Sequence, residues 1–104
     1  MRIDYDKLVR DRIPEIIESA GKKAVTRIAE DAEYLSYLRR KLSEEVDEYM
    51  ASGDVEELAD ILEVISALGR QGGAPLSRLM EIADDKRQAR GGFDGRVLLI
   101  RVED

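Results

Sequence analysis

Acidic residues placed inside an apolar helical stripe constrain this chain more than any other feature. From Glu33 to Met50 the residues Leu35, Leu38, Leu42, Val46 and Tyr49 recur at steps of three and four, the period of an amphipathic helix with one buried face. Glu45 falls within that stripe, three residues after Leu42 and four before Tyr49. The next segment repeats the arrangement, with Glu57 and Asp60 on one face with Ile61, Val64 and Leu68. Two acidic pairs, Glu45 with Glu48 and Glu57 with Asp60, are therefore expected to point inward. An ionised carboxylate in an apolar setting takes up a proton, finds a cationic partner or binds a metal. The chain has no His and no Cys, so the nitrogen and sulfur ligands that select zinc or copper are missing. An all-oxygen site suits Mg²⁺, with Mn²⁺ as a substitute, and Mg²⁺ is commonly shared between carboxylates and a substrate phosphate. The residues thus point towards phosphoryl or nucleotidyl chemistry.

The 104 residues suffice for one domain and not for two independent cores. The single Phe, the lack of Trp and the 38% of charged residues fit an aliphatic helical core with solvated outer faces. A net charge of −6 argues against a sequence-independent grip on nucleic acid, while a metal-bound nucleotide remains compatible. No apolar run is long enough to span a bilayer, and the opening MRIDYDKLVRDR is charged. A cytoplasmic protein without membrane or nucleic-acid partners is the expectation.

The punctuation of the chain predicts about four helices. Residues 1–12 read as a basic ordered arm carrying Lys7, Arg10 and Arg12. Pro14 suits the first turn of a short helix and Gly21 its stop. Residues 23–29 are either a short strand or a loop. Asp31 is a plausible N-cap for a long helix running to about Met50, and Ala51-Ser52-Gly53-Asp54 forms a tight turn in which Asp54 caps the next helix. So short a connection requires antiparallel packing, which lets the four carboxylates converge. A third helix reaches the breaker at Gly69–Gly73, and Pro75 opens a fourth, with Leu76, Leu79, Met80 and Ala83 on its apolar face. Lys86 and Arg90 extend that face with cations suited to clamping phosphate. Phe93 is read as a core residue. The segment Arg96–Val102, with VLLIRV at its centre, reads as a strand that could pair with Val25–Ile28. The expected fold is a mainly α antiparallel bundle of about four helices with a small β element near the C-terminus.

Three ordered stretches carry a resemblance. They are Tyr5-Asp6-Lys7-Leu8-Val9-Arg10-Asp11-Arg12-Ile13-Pro14-Glu15-Ile16-Ile17; Glu44-Glu45-x-x-Glu48 followed by Glu57-Leu58-Ala59-Asp60; and Lys86-Arg87-Gln88-Ala89-Arg90-Gly91-Gly92-Phe93. Together they resemble the MazG-like all-α nucleoside triphosphate pyrophosphohydrolases, in particular the small single-domain branch that looks like phosphoribosyl-ATP pyrophosphohydrolase. The resemblance implies Mg²⁺ ligation by Glu45, Glu48, Glu57 and Asp60. It further implies that Glu44 and Glu45 serve catalysis, Glu44 from a second layer or by activating water, and that Lys7 and Arg10 contact the substrate's phosphates. The implied reaction is attack of water on the α-phosphorus of a nucleoside triphosphate, giving monophosphate and pyrophosphate, in a homo-dimer or tetramer. The family usually has a longer connection between its acidic motifs than the eight residues separating Glu48 from Glu57 here, a departure that bears on the substrate pocket.

The expected function is thus Mg²⁺-dependent nucleotide pyrophosphohydrolysis that clears noncanonical or excess nucleotides. One alternative is the phosphoribosyl-ATP step of histidine biosynthesis. The other is a non-catalytic helical module that binds nucleotide or a partner.

Overall fold

A computed structural model describes residues 2–104. It contains four helices: α1 (Ile13–Ser19), α2 (Asp31–Ser52), α3 (Val55–Gln71) and α4 (Leu76–Arg90). Local chemistry sets their ends. Pro14 lies in the first turn of α1, where a missing N–H costs nothing. The N-cap of α2 is Glu30, one residue earlier than the sequence-predicted Asp31, which is the first helical residue. Glu33, in the first turn, accepts the Glu30 backbone N–H at 3.0 Å, and Arg27 forms an ion pair with the same carboxylate. That reciprocal use of Glu33 explains why the helix starts where it does.

Gly53 stops α2 with φ 70°, a left-handed conformation that glycine adopts without a Cβ penalty, and its N–H bonds the Tyr49 carbonyl at 2.7 Å. Asp54 takes the N-cap position of α3 without a side-chain capping bond. With only two residues between them, α2 and α3 fold back on each other and form the main helix–helix interface. Leu38 and Val64 are its buried apolar centre, flanked by half-buried Tyr34, Leu42, Tyr49, Ile61 and Leu68.

The α4 helix packs on the far end of α3. The close approach is made at Gly69, where a Cβ would meet the Ala74 carbonyl oxygen and lie 2.8 Å from Leu79 Cδ1. Leu76, Leu79 and Ile82 form the packed face of α4. Met80 and Ala83, expected on that face, are exposed because the helix contacts its neighbour along a narrow strip only.

Three expectations are corrected. The four helices do not form a closed bundle: no close approach joins α1 to another helix, and α4 touches α3 alone. The small β element is not formed. Among the described residues there is no strand, so neither Arg96–Val102 nor Val25–Ile28 has a ladder partner. A strand exists only through its pairing, and a favourable residue pattern cannot supply the second chain segment. Phe93 is not in the core but 97% exposed, at a turn closed by the Arg96 N–H on its carbonyl at 3.1 Å. The turn carries residues 96–104 away from the helices.

The result is extended. The radius of gyration is 18.3 Å, against about 13 Å for a compact domain of this length.

Candidate metal centre

Three of the four expected carboxylates come together. Glu45 on α2 and Glu57 and Asp60 on α3 each offer an oxygen, and the three oxygens lie within 4.8 Å of one another. The hairpin produces this convergence, because Glu45 lies towards the end of α2 while Glu57 and Asp60 occupy the opening turns of α3. Glu48, the fourth expected ligand, is exposed on α2 and stands outside the cluster.

Glu45 is 6% exposed, and its Oε2 is buried without a hydrogen-bond partner; the same holds for Glu57 Oε2. Two buried acceptor atoms without donors are costly features, and both belong to the carboxylates that converge. The set contains oxygen donors only.

Cations surround these acids on the other side. Lys41, one turn before Glu45, places its Nζ 3.1 Å from Glu45 Oε1 and 3.3 Å from Glu44 Oε2. It holds one oxygen of Glu45 and leaves the other without a partner. Burial pulls the Lys41 pKa down, but the hydrogen bonds to Glu45 and Glu44 outweigh it and raise the pKa above the ordinary lysine value. Lys41 was not among the sequence candidates for the site. Its signal was its i,i+4 spacing to a core-facing glutamate, which also describes an ordinary surface pair.

The arm supplies two more cations. Lys7 Nζ donates to Glu44 Oε1 at 3.1 Å, and Arg10 Nη2 donates to Asp60 Oδ1 at 2.6 Å. Tyr37 Oη donates to Asp6 Oδ1 at 2.8 Å, which ties the arm to α2. Leu8 and Val9 between these tethers are half-buried. Glu44 sits between Lys7 and Lys41. Its partial burial raises its pKa, but the hydrogen bonds from both lysines outweigh that and hold the carboxyl below its usual range.

A cleft of about 240 Å³ adjoins the cluster. Glu45 and Asp60 line it with Arg10 and Lys41, and Tyr34 and Arg70 contribute further polar groups over a floor of Leu38 and Val64. Lys86 and Arg90 are exposed on α4, and neither forms an ion pair with the cluster among the described residues. The structure therefore brings Lys7 and Arg10 to the acids and leaves the α4 pair apart.

No helix among the described residues is long and apolar enough to cross a membrane. Comparison with known proteins adds a local similarity. The chain is 50% identical over 46 residues to an uncharacterized protein of Mycolicibacterium smegmatis, an alignment covering 44% of this chain and 47% of that one, so less than half of the relative is matched. No family model matches the chain. No solved structure matches it either.

Proposed function

We propose that the chain is a Mg²⁺-dependent nucleoside triphosphate pyrophosphohydrolase of the MazG-like type, acting on noncanonical or excess nucleotides in the cytoplasm. The observation that carries this reading is the convergence of Glu45, Glu57 and Asp60, with oxygens within 4.8 Å of one another, together with a buried, donor-free oxygen on both Glu45 and Glu57. Hard oxygen donors with no nitrogen or sulfur nearby fit Mg²⁺ or Mn²⁺. In this reading Glu45, Glu57 and Asp60 hold the ion. Glu48 joins through a bridging water or a rotamer change. The ion, when bound, neutralises phosphate oxygens and increases the acidity of bound water.

The chain's own residues do the rest. Lys41 fixes Glu45 by one oxygen. Glu44, held ionised between Lys7 and Lys41, serves as the anchor for the arm; a carboxylate with a lowered pKa is a poor proton acceptor near neutral pH. Arg10 and Lys7 are placed to turn towards a triphosphate entering the cleft, where Arg10 can form a paired hydrogen bond to phosphate oxygens. The cleft receives the nucleoside. Lys86 and Arg90 do not line the cleft of their own chain, and in this reading they serve phosphate from a second subunit of a homo-oligomer.

A specific observation favours one other reading. Each of Glu44, Glu45 and Asp60 already has a cationic partner, so the cluster could be a self-neutralised structural network in a non-catalytic module. Pyrophosphate release from canonical and modified triphosphates and from phosphoribosyl-ATP, with Mg²⁺ or Mn²⁺, separates the two. Release that Glu45→Gln abolishes supports the enzyme, and release from phosphoribosyl-ATP alone assigns the histidine step. No release from any substrate, by protein that is folded and metal-bound, would leave the module.

A further inference from the structure

The segment after α4 has no place to fold onto in its own chain. Leu98, Ile100 and Val102 are each at least 77% exposed, and Val25 and Ile28 are 87% and 90% exposed. The Arg101 Nε to Glu103 Oε1 hydrogen bond, 2.7 Å between residues two apart, places both side chains on one side of the chain. By the two-residue period of extended backbone, Leu98, Ile100 and Val102 then share the opposite side. The chain as a whole exposes 9443 Å², whereas a folded 11.7 kDa monomer exposes about 5,900 Å². The surplus of roughly 3,500 Å² exceeds the share of each partner in a large obligate homodimer, about 2,500 Å². That area is enough for a second copy of this chain to cover.

We propose that residues 98–104 of one copy pair antiparallel with residues 22–28 of a second copy, forming between two chains the β element that neither forms alone. The register follows from side-chain chemistry. With Val102 opposite Ala24, one face matches Leu98 with Ile28 and Ile100 with Thr26. In the same register Glu103 meets Lys23 and Asp104 meets Lys22. A slip of one residue sets Ile100 against Arg27 or Val102 against Lys23 and exchanges the faces, whereas the chosen register keeps the arginines on the other face, with Leu99 against Arg27 and Val25 against Arg101. A parallel arrangement of the same residues sets Leu98 against Lys22 and Leu99 against Lys23. The exchange is reciprocal, so a two-fold dimer has two such pairs and closes. This inference is independent of the chemistry at the carboxylates.

The chain has no cysteine, so introduced thiols report without background. Ala24→Cys and Val102→Cys chains, and separately Val25→Cys and Arg101→Cys chains, are mixed and oxidised gently. Two pairs are needed because opposed residues alternate between hydrogen-bonded and non-bonded sites. The expected result is a disulfide joining the two different variants in at least one mixture, seen as a species of twice the chain mass on a non-reducing gel. A double variant that links within one chain, or no link in either pair, overturns the proposal. A measurement that does not depend on thiols accompanies it. Lys22→Glu with Lys23→Glu, both at exposed positions, should weaken the dimer about tenfold in sedimentation at low salt. Adding Glu103→Lys and Asp104→Lys should restore it. A wild-type chain that sediments as a monomer, or a reversal without effect, refutes the pairing.

Discussion

Arg10 stands where a metal would compete with it. Its guanidinium occupies Asp60 Oδ1 at 2.6 Å, and Asp60 is one of the three converging carboxylates. A divalent ion on Asp60 Oδ1 must displace this contact, and one on the other oxygen is still repelled by the guanidinium beside it. The side chains are 55% and 39% exposed, so the pair is solvent-screened and worth about 0.5–1 kcal/mol, well below what the short distance alone suggests. Arg10→Gln removes that competitor. Binding of Mn²⁺ without nucleotide should therefore strengthen about two- to fivefold, measured by calorimetry or by the loss of the free-ion electron paramagnetic resonance signal. Nucleotide binding in the presence of metal should move the other way and weaken by about tenfold, because a charge-assisted phosphate contact is lost. The two signs together distinguish a displaced cation from a structural one. Metal binding that is unchanged or weaker in Arg10→Gln would refute the reasoning.

Further outcomes follow from the burial and the close contacts. Glu57→Gln removes the charge from a half-buried carboxylate whose buried Oε2 lacks a donor; without metal it should raise Tm by a few degrees, while the shift on adding Mg²⁺ disappears, both read by thermal melting. Gly69→Ala should destabilise by about 1–3 kcal/mol in urea titration although alanine is the better helix former, because the new methyl collides with the Ala74 carbonyl and Leu79. The lowered pKa of Glu44 contributes stability that is present above the unfolded carboxyl value and is lost as pH falls through the lower folded value. Acid titration of Tm should accordingly be shallower in Glu44→Gln than in the wild type below about pH 4.5.

Why so much of the helical content was legible in the sequence can be argued from particular residues. Pro14, Gly53, Gly72 and Gly91 punctuate the chain, with Gly53 and Gly91 ending α2 and α4 at φ 70° and 84°, while α3 runs on through Gly69 to Gln71. The Glu57, Asp60, Ile61, Val64, Leu68 face of α3 is the packed face, as the three- and four-residue spacing required. Periodicity specifies which side of a helix is apolar, and a two-residue connection specifies its neighbour. The fate of an apolar strip with no neighbour in its own chain is outside what periodicity encodes. Phe93, Leu98 and Ile100 read as core or strand because their chemistry favours burial, and they are exposed because nothing among the described residues packs on them.

The carboxylates show the same limit in electrostatic form. Helical phase could place Glu45, Glu57 and Asp60 inward, and it did so correctly. It also admitted Glu48, whose three-residue spacing from Glu45 matches that of Asp60 from Glu57, although the strip that α3 covers leaves Glu48 in solvent. Phase could not reveal which cations would balance the cluster, since Lys7 and Arg10 lie 37 and 50 residues from their partners Glu44 and Asp60. That balance determines what the site can do. A cluster whose charges were all neutralised by buried lysines would be an inert network, while this one keeps two oxygens without donors and sets an exposed arginine on a third acid. The combination leaves a divalent ion both a coordination set to complete and a removable competitor, so metal affinity should depend on the arm as much as on the carboxylates.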